Sequence, residues 1–289
     1  MSILQNFFVT TVTTSPLSVE VLMMAGGGGT LSNLATVIDT PGGTDDNFLV
    51  YGGGGAGAGG LYIYSATLDP GTSSEVTVGG GGSGVSDGSP SNFTGAPFIA
   101  LGGGHGKASG TGSRSFGRSG GSGAGGQGFL GGASISGQGN PGGDGSYVDR
   151  ISVGCGGGGG KGSAGVSGGT NGGGAGGSGY DLATFRGGSP LVVAFGGGGA
   201  GGSGAGTPTV VIGNNGNGTT TSSPAANTGG GARNTSSNGV SASGGSGRVI
   251  VRYTGSTAKA TGGTITSGPV GGTTYTFHDF TAGGTFTVT

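Results

Sequence analysis

The stretch VEVLMMAGGGG, Val19 to Gly29, contains the pattern on which the fold depends: an apolar, β-favouring run leads straight into glycines. Glycine runs start at residues 26, 52, 79, 102 and 154, a spacing of about 26 residues with one gap about twice as long. This self-similarity indicates a stacked architecture, because a Gly/Ser tether needs no apolar run before each glycine stretch. Similar units begin at Asn47, Ser74, Ala96, Arg150 and Ser189, with a degenerate copy at Thr207.

The composition argues against both an ordinary globular core and a disordered chain. Of 289 residues, 85 are glycine and 30% are hydrophobic without counting glycine, whereas globular domains have about 45–50% apolar residues, a figure that includes glycine at only about 7% of the chain. Disordered chains carry high net charge and few β-branched residues. Here the formal net charge is -1, and Val, Ile and Thr recur throughout. We therefore expect an ordered chain with a reduced aliphatic core.

The glycines can be ordered only if their backbone groups are bonded. Fixing a glycine costs about 0.5–1 kcal/mol more than fixing an alanine, and a net hydrogen bond returns about 0.5–1.5 kcal/mol. A polyproline-II-like strand has three residues per turn and no internal hydrogen bonds, so its N–H and C=O groups can pair with neighbouring strands. The predicted fold is mostly irregular and β: stacked polyglycine-II helices with short β-strands, exposed variable loops and little or no α-helix.

The C-terminal segment TTYTFHDFTAGGTFTVT, Thr273 to Thr289, differs from the rest of the chain. Threonine alternates with Tyr, Phe and Val on both sides of AGG, which is typical of a β-hairpin. We expect His278 and Asp279 to face outward from it. The chain is therefore divided into a glycine-rich domain over 1–254 and a C-terminal β-hairpin module over 255–289.

No motif for catalysis or metal binding is complete. VGCGGGGGKGS fails the phosphate-binding loop pattern, because Cys155 stands where its first glycine belongs and Gly162 follows Lys161 instead of Ser or Thr. His105 and His278 have no Cys or carboxylate at metal-ligand spacing. Cys155 has no His partner nearby, so we expect a small, semi-buried thiol. The sequence predicts a protein that is not an enzyme and holds no cofactor or metal.

The charge and hydropathy patterns exclude two classes of partner. Ten scattered Lys and Arg give no basic patch for nucleic acid. No run approaches the roughly 18 apolar residues of a membrane helix, and the N-terminus lacks the charged n-region of a signal peptide. The single cysteine allows no disulfide within the chain and fits folding in a reducing cytoplasm. We expect neither nucleic-acid binding nor membrane insertion.

The remaining candidates for recognition are aromatic residues in polar loop sequences. Loop aromatics can anchor a partner, or they can cap the ends of a glycine stack, and the sequence leaves both alternatives open. The candidate receptor-contact residues are Phe93, Phe116, Phe129, Tyr147, Tyr180 and Phe185.

Three segments carry a resemblance to a known family. VEVLMMAGGGG is similar to the opening strand and glycine run of the glycine-rich tail proteins of bacteriophages, and GGSGRVIVRY (Gly244 to Tyr253) resembles their closing strand. YTFHDFTAGGTFTVT (Tyr275 to Thr289) resembles a short module often found beside that domain. The family includes proteins similar to the receptor-binding adhesins at the tail-fibre tips of T-even-like phages, in which polyglycine-II motifs support variable loops that bind host outer-membrane proteins.

The resemblance implies a virion protein, made in the host cytoplasm, that recognises a bacterial surface protein or glycan. It also implies contacts with other tail or fibre proteins and a homo-oligomeric form such as a trimer. One rival is a purely structural virion part, such as a fibre shaft or capsid decoration, without a receptor. Another is an ice-binding protein, which would need regular Thr or Ala ranks in place of irregular loops.

Overall fold

The computed structural model describes residues 15–31, 53–106, 115–148, 151–169, 172–187, 194, 195, 198, 223–234 and 241–289. The repeat units that begin at Ser189 and Thr207 lie outside these ranges apart from residues 194, 195 and 198. The described residues form fifteen strands and one short helix: β1 (Leu17–Met24), β2 (Thr30–Leu31), β3 (Leu61–Leu68), β4 (Ser73–Thr77), β5 (Asn92–Phe93), β6 (Ser146–Val148), β7 (Ile151–Gly154), β8 (Tyr180–Asp181), α1 (Ala183–Arg186), β9 (Ala194–Phe195), β10 (Ser241–Ala242), β11 (Arg248–Thr254), β12 (Ala260–Thr261), β13 (Thr264–Val270), β14 (Thr273–Phe280) and β15 (Gly284–Val288).

The predicted fold class, β-strands and irregular backbone with almost no helix, is confirmed. All ladders between these strands are antiparallel. The helix α1 has four residues, and no helix in the described ranges is long and apolar enough to span a membrane. The larger sheets have the orders β13-β14-β11-β1-β3 and β12-β15-β4-β5.

An apolar core lies between the two larger sheets. Alternation along β1 directs Val19, Val21 and Met23 to this core, and β11 contributes Val249 and Val251 in the same way. The opposing sheet supplies buried residues from four strands: Val76, Phe93, Ala260, Phe286 and Val288. These β-branched and aromatic residues suit half-buried strands, and their burial makes the sandwich the apolar part of a glycine-rich chain.

The glycine run 26–29 shows the bonding expected of polyglycine II. The amides of Gly26 and Gly29 donate to the carbonyls of Ser89 and Ser86, each over 3.0 Å. Residues three apart therefore bond the same neighbour, as a helix of three residues per turn requires. Together with Ala25, the run donates to segments 57–60 and 86–89 and to Gly245, and it accepts from Gly82, Gly103, Gly106 and Ala232. Six neighbouring segments thus surround one run.

The same three-residue periodicity recurs in residues 55–60. Gly55 and Ala58 donate to Gly156 and Gly159, each over 3.0 Å. The other amides of this run bond two further segments with the same period. Residue 56 donates to 232 and residue 59 to 229, while residue 57 donates to 104 and residue 60 to 101. We call the array formed by these runs, the segments that they bond and residues 122–126, 140–143 and 156–160 the glycine lattice. Its backbone groups are satisfied by neighbours and need no side chains.

At most positions of the glycine lattice, the strands approach too closely to leave room for a side chain. A Cβ added to Gly27 would lie 2.0 Å from the carbonyl oxygen of Gly230, and one on Gly158 would lie 1.9 Å from that of Ala56. The lattice admits a methyl at a few sites, where Ala56, Ala232 and Ala242 form a small buried cluster. Glycine is therefore required at these positions, because only a residue without a side chain fits between the closely packed strands.

The C-terminal hairpin is present, but its turn is not where the alternation placed it. Strands β13 and β14 pair antiparallel across Gly271 and Gly272, which have φ values of 55° and 86°. Two positive φ values at a two-residue turn are typical of the hairpin turns that glycine favours. The expected turn at AGG, 282–284, instead joins β14 in one large sheet to β15 in the other. The alternation correctly indicated two strands, but β14 pairs with β13 and β11, and β15 pairs with β12 and β4, so the two strands do not pair with each other.

The residues beyond 254 are integrated with the preceding chain. Strand β14 pairs with β11, and β15 pairs with β4. The division at residue 254 stays a prediction, although both large sheets contain strands from either side of it.

Candidate functional site

Two of the six candidate aromatics meet at the surface. The rings of Phe116 and Phe129 stack with their centroids 4.6 Å apart and an interplanar angle of 16°. The side chain of Phe116 is 60% exposed, and that of the neighbouring Leu130 is 61% exposed. We call Phe116, Phe129 and Leu130 the loop-tip patch.

Backbone pairing between two loop segments places these side chains. Ser115 and Gln127 exchange two backbone hydrogen bonds of 3.1 and 2.9 Å, which brings the two loop segments side by side. Gly128 follows with a φ of 65°, a left-handed conformation that glycine adopts without strain. The chain then turns, so that Phe129 faces Phe116.

Hydrogen bonds to two neighbouring segments hold the backbone of residues 129–131, which carries part of the loop-tip patch. The carbonyl of Leu130 accepts from the amide of Gly117 over 3.0 Å, and the carbonyl of Phe129 accepts from that of Gly145 over 2.8 Å. The amide of Gly131 donates to Oδ1 of Asp144 over 2.8 Å. The loop-tip patch is therefore presented by a fixed backbone, which lowers the entropy that a partner would have to remove on binding.

Phe93 and Phe185 are not exposed loop residues. Phe93 lies in β5 with 1% exposure, against the rings of Tyr64 and Phe286 at 6.4 and 5.9 Å. Phe185 lies in α1 with 2% exposure, beneath the guanidinium of Arg252. The polar residues around both suggested loops, but long-range pairing encloses them, so neither ring offers a surface to a partner.

The two tyrosine candidates lie in short strands. Tyr180, in β8, is half-buried, and its Oη lies 2.7 Å from Oγ1 of Thr184. Tyr147 belongs to β6, and its side chain lies outside the described part of the structure. Neither joins the loop-tip patch through a described contact.

A second exposed aromatic, Phe98, is not among the six candidate residues. Phe98 is 63% exposed, and its ring meets that of Tyr62 edge-on at 5.6 Å. Its segment, APFIAL, was grouped with the β-runs that precede glycines. Pro97 was the available signal, because proline disfavours the interior of a strand and indicates a turn or an edge.

A charged cluster is formed by Asp87, His105 and Arg118, the last of which is close in sequence to Phe116 of the loop-tip patch. Oδ1 of Asp87 accepts from the backbone amide of His105 over 2.9 Å and lies 2.7 Å from its Nδ1, and Arg118 Nη2 lies 3.4 Å from Oδ2. Partial burial raises the pKa of the Asp87 carboxyl, but the bonds from His105 and the charge of Arg118 outweigh it, so this pKa is lowered overall. The carboxyl is ionised at neutral pH.

Cys155 is more deeply buried than expected. Its residue has no exposed surface, and burial raises the pKa of the thiol to about 12. The thiol is therefore protonated at neutral pH and is not a thiolate nucleophile. Among the described residues, no three His, Cys, Asp or Glu side chains are grouped to hold a metal ion.

His278 and Asp279 were expected to face outward, and this is wrong. His278 is 0% exposed, with Nδ1 2.7 Å from the carbonyl oxygen of Gly262 and Nε2 3.0 Å from Oη of Tyr253. A carbonyl only accepts, so Nδ1 carries the proton and the Tyr253 hydroxyl donates to Nε2. Side chains cover both faces of β14: the ring of Phe286 packs on the imidazole of His278, and Arg248 and Arg186 contact the carboxylate of Asp279.

The buried imidazole makes stability depend on pH. Burial lowers the pKa of His278, and the bond to Gly262 opposes this only in part. An unfolded histidine takes up a proton near a pH of about 6.5. Below that pH we expect the free energy of unfolding to fall by up to about 1.4 kcal/mol per pH unit until the folded pKa is reached. Urea unfolding at pH 7, 6 and 5 measures this loss.

His278→Gln is the matched variant, because it removes the titrating group and keeps a polar side chain. The difference between wild-type and variant free energies of unfolding isolates His278 from the carboxylates and from His105. Parallel pH profiles for the two proteins would contradict a buried neutral imidazole.

Comparison with known proteins gives one match. A family model described as a glycine-rich domain matches residues 4–254. No curated protein and no solved structure is significantly similar to the chain.

Proposed function

This chain belongs to the glycine-rich domain family, and on that premise we propose that it is a non-enzymatic bacteriophage virion protein, a tail-fibre or spike adhesin that recognises the host surface. The observation that carries the proposal is the loop-tip patch: exposed apolar side chains on a backbone fixed by the glycine lattice. Large apolar side chains exposed together are typical of interaction surfaces. The resemblance to phage tail proteins supplies the virion setting.

The expected partners follow from the chemistry of the loops. With only 7% charged residues in the chain, binding to a bacterial surface protein or glycan would use aromatic anchors and hydroxyl or amide hydrogen bonds. Contacts with other tail or fibre proteins would attach the chain to the virion, where a homo-oligomer such as a trimer would place several patches side by side. The protein would be made in the host cytoplasm and carried on the virion surface.

The test is binding of the fluorescently labelled full chain to intact cells of a panel of bacterial strains, read by flow cytometry. The double variant Phe116→Ser/Leu130→Ser should weaken binding about 30-fold, because truncating interface anchors costs about 2 kcal/mol or more. Ile265→Ser is the control, since Ile265 is also exposed (44%) but lies in β13. Affinity should change little between low and high salt.

Two results would oppose the adhesin proposal. One is the absence of binding to every strain, and the other is binding that the double variant leaves intact. Either would favour the purely structural alternative, in which the exposed apolar side chains contact other virion proteins.

A further inference from the structure

A groove of 380 Å³ opens on the face of the five-stranded sheet that lies away from the inter-sheet core. Its volume falls in the range of about 300–1,000 Å³ that is usual for small-molecule sites. The other end of this face is covered by α1 and its preceding residue, where Leu182 and Phe185 pack on Leu22 and Ile250. The groove shares no residue with the loop-tip patch.

Strand register brings four hydroxyl side chains into the groove. Ser18 of β1 is opposite Thr67 of β3, and Glu20 is opposite Ser65. Thr254 of β11 lies across the groove. All four hydroxyl residues are exposed, and strand alternation directs Ser18, Ser65 and Thr67 to the same face as Glu20.

A fixed ion pair forms the centre of the groove. Arg252 is opposite Glu20 in the register, and its Nε and Nη2 both lie 2.7 Å from Oε2 of Glu20. The guanidinium carbon lies 4.2 Å from the ring centre of Phe185 and 4.6 Å from that of Tyr275. Arg252 Nη1 donates to the carbonyl of Phe185. Stacking on two rings holds the guanidinium in one geometry.

This arrangement leaves one acceptor open to the groove. Both contacts from Arg252 reach Oε2, so Oε1 of Glu20 has no bonded partner among the described residues. The Glu20 side chain is 39% exposed and lines the groove beside the half-buried Tyr275. An ionised carboxylate accepts strong hydrogen bonds from hydroxyl donors.

We propose that this groove binds a neutral hexopyranose oligosaccharide. Sugar hydroxyls donate to Oε1 of Glu20 and exchange hydrogen bonds with Ser18, Ser65 and Thr67, while the apolar face of a pyranose ring packs against the edge of Tyr275. Each contact uses a group whose position is set by strand register or by the Arg252 clamp, so little side-chain ordering remains to oppose binding.

Other ligand classes fit the groove less well. Arg252 and Glu20 balance each other's charge, and each nitrogen of the guanidinium already has a partner, which disfavours an anion. An apolar ligand would bury the exposed hydroxyls without hydrogen bonds, at a cost in free energy. A neutral ligand rich in hydroxyl groups needs no free cationic partner, and it can form hydrogen bonds with the exposed hydroxyls.

The test uses the full chain and three named trisaccharides, maltotriose, cellotriose and chitotriose, in ligand-observed saturation-transfer NMR. At least one should receive saturation from the wild-type protein. Ser65→Ala/Thr67→Ala should weaken its binding about fivefold or more, because two hydrogen-bonding hydroxyls are lost. Glu20→Gln should weaken it as well, since the anionic acceptor is removed.

Ile63→Ser is the control, because Ile63 lies on the same strand and face as Ser65 and is 36% exposed but does not line the groove. The Ile63→Ser variant should bind the trisaccharide as tightly as the wild-type protein does. The double hydroxyl variant keeps the Arg252–Glu20 pair, so loss of binding there does not result from a broken ion pair. Absence of transfer to all three trisaccharides would overturn the proposal. So would binding that neither Ser65→Ala/Thr67→Ala nor Glu20→Gln changes. Neither result would bear on the loop-tip patch or the adhesin role.

Discussion

Gly27→Ala is expected to lower the free energy of unfolding by about 3 kcal/mol or more, the upper end of the usual cost of overpacking. The added Cβ would lie 2.0 Å from the carbonyl oxygen of Gly230 and 2.4 Å from its carbonyl carbon. Both are backbone atoms held by the lattice, so no side chain can rotate away. At about 2–4 °C per kcal/mol, the melting temperature should fall by about 6–12 °C in a calorimetric scan.

Gly80→Ala is the matched control for this substitution. Gly80 belongs to another glycine run, is exposed, and has no atom within 4 Å of an added Cβ. Its replacement should change the free energy of unfolding by less than about 1 kcal/mol, in either direction. Equal melting temperatures for the two variants would show that close approach of the strands is not what demands glycine.

Asp279→Ala is expected to cost about 3–5 kcal/mol of unfolding free energy, because it removes one partner of a buried ion pair. Nε of Arg248 donates to Oδ1 over 2.6 Å, Nη2 of Arg248 bonds Oδ2, and Arg186 approaches Oδ2 at 3.6 Å. Only 5% of the carboxylate side chain is exposed. Its loss removes the buried carboxylate that contacts both guanidinium groups. Equilibrium unfolding in urea measures the change.

Asp87→Ala is the comparison for Asp279→Ala, since Asp87 also contacts a cationic side chain, that of Arg118, but is 39% exposed. Exposed pairs contribute about 0–1 kcal/mol, and the hydrogen bond from the His105 amide adds about 0.5–1.5 kcal/mol, so this variant should cost about 2 kcal/mol or less. The double replacement Arg248→Met/Asp279→Leu should recover much of the stability lost in Asp279→Ala. Similar losses for Asp87→Ala and Asp279→Ala would contradict a burial-dependent role for the C-terminal pair.

The glycine lattice could be predicted because its cause is local. Each run has its own apolar leader, as Val19 to Gly29 does, and the cost of ordering glycine requires backbone bonding wherever the run is ordered. Which segments become the six neighbours of residues 26–29 could not be predicted, because glycine has no side chain to specify a partner. That choice depends on contacts up to hundreds of residues away.

The errors at Phe93, His278 and the AGG turn share one physical origin. Polar neighbours and alternation describe a segment's own conformation, but burial depends on what pairs with it. Phe93 is enclosed by Phe286, and His278 by Tyr253, contacts that no local pattern contains. Phe116 and Phe129 lie outside the core, and their stacking depends on the pairing of two loop segments, Ser115 with Gln127, which no local pattern contains.

The six-neighbour bonding of the glycine runs has a consequence for how the protein responds to temperature. A core of this kind buries peptide groups in place of aliphatic side chains. Exposure of apolar surface raises the heat capacity on unfolding, whereas exposure of polar surface lowers it. The heat-capacity increment per residue should therefore lie below the usual 12–15 cal/mol/K or so, and the stability curve should be correspondingly flat. A lattice of glycine thus suits a protein that must stay folded over a wide range of temperature.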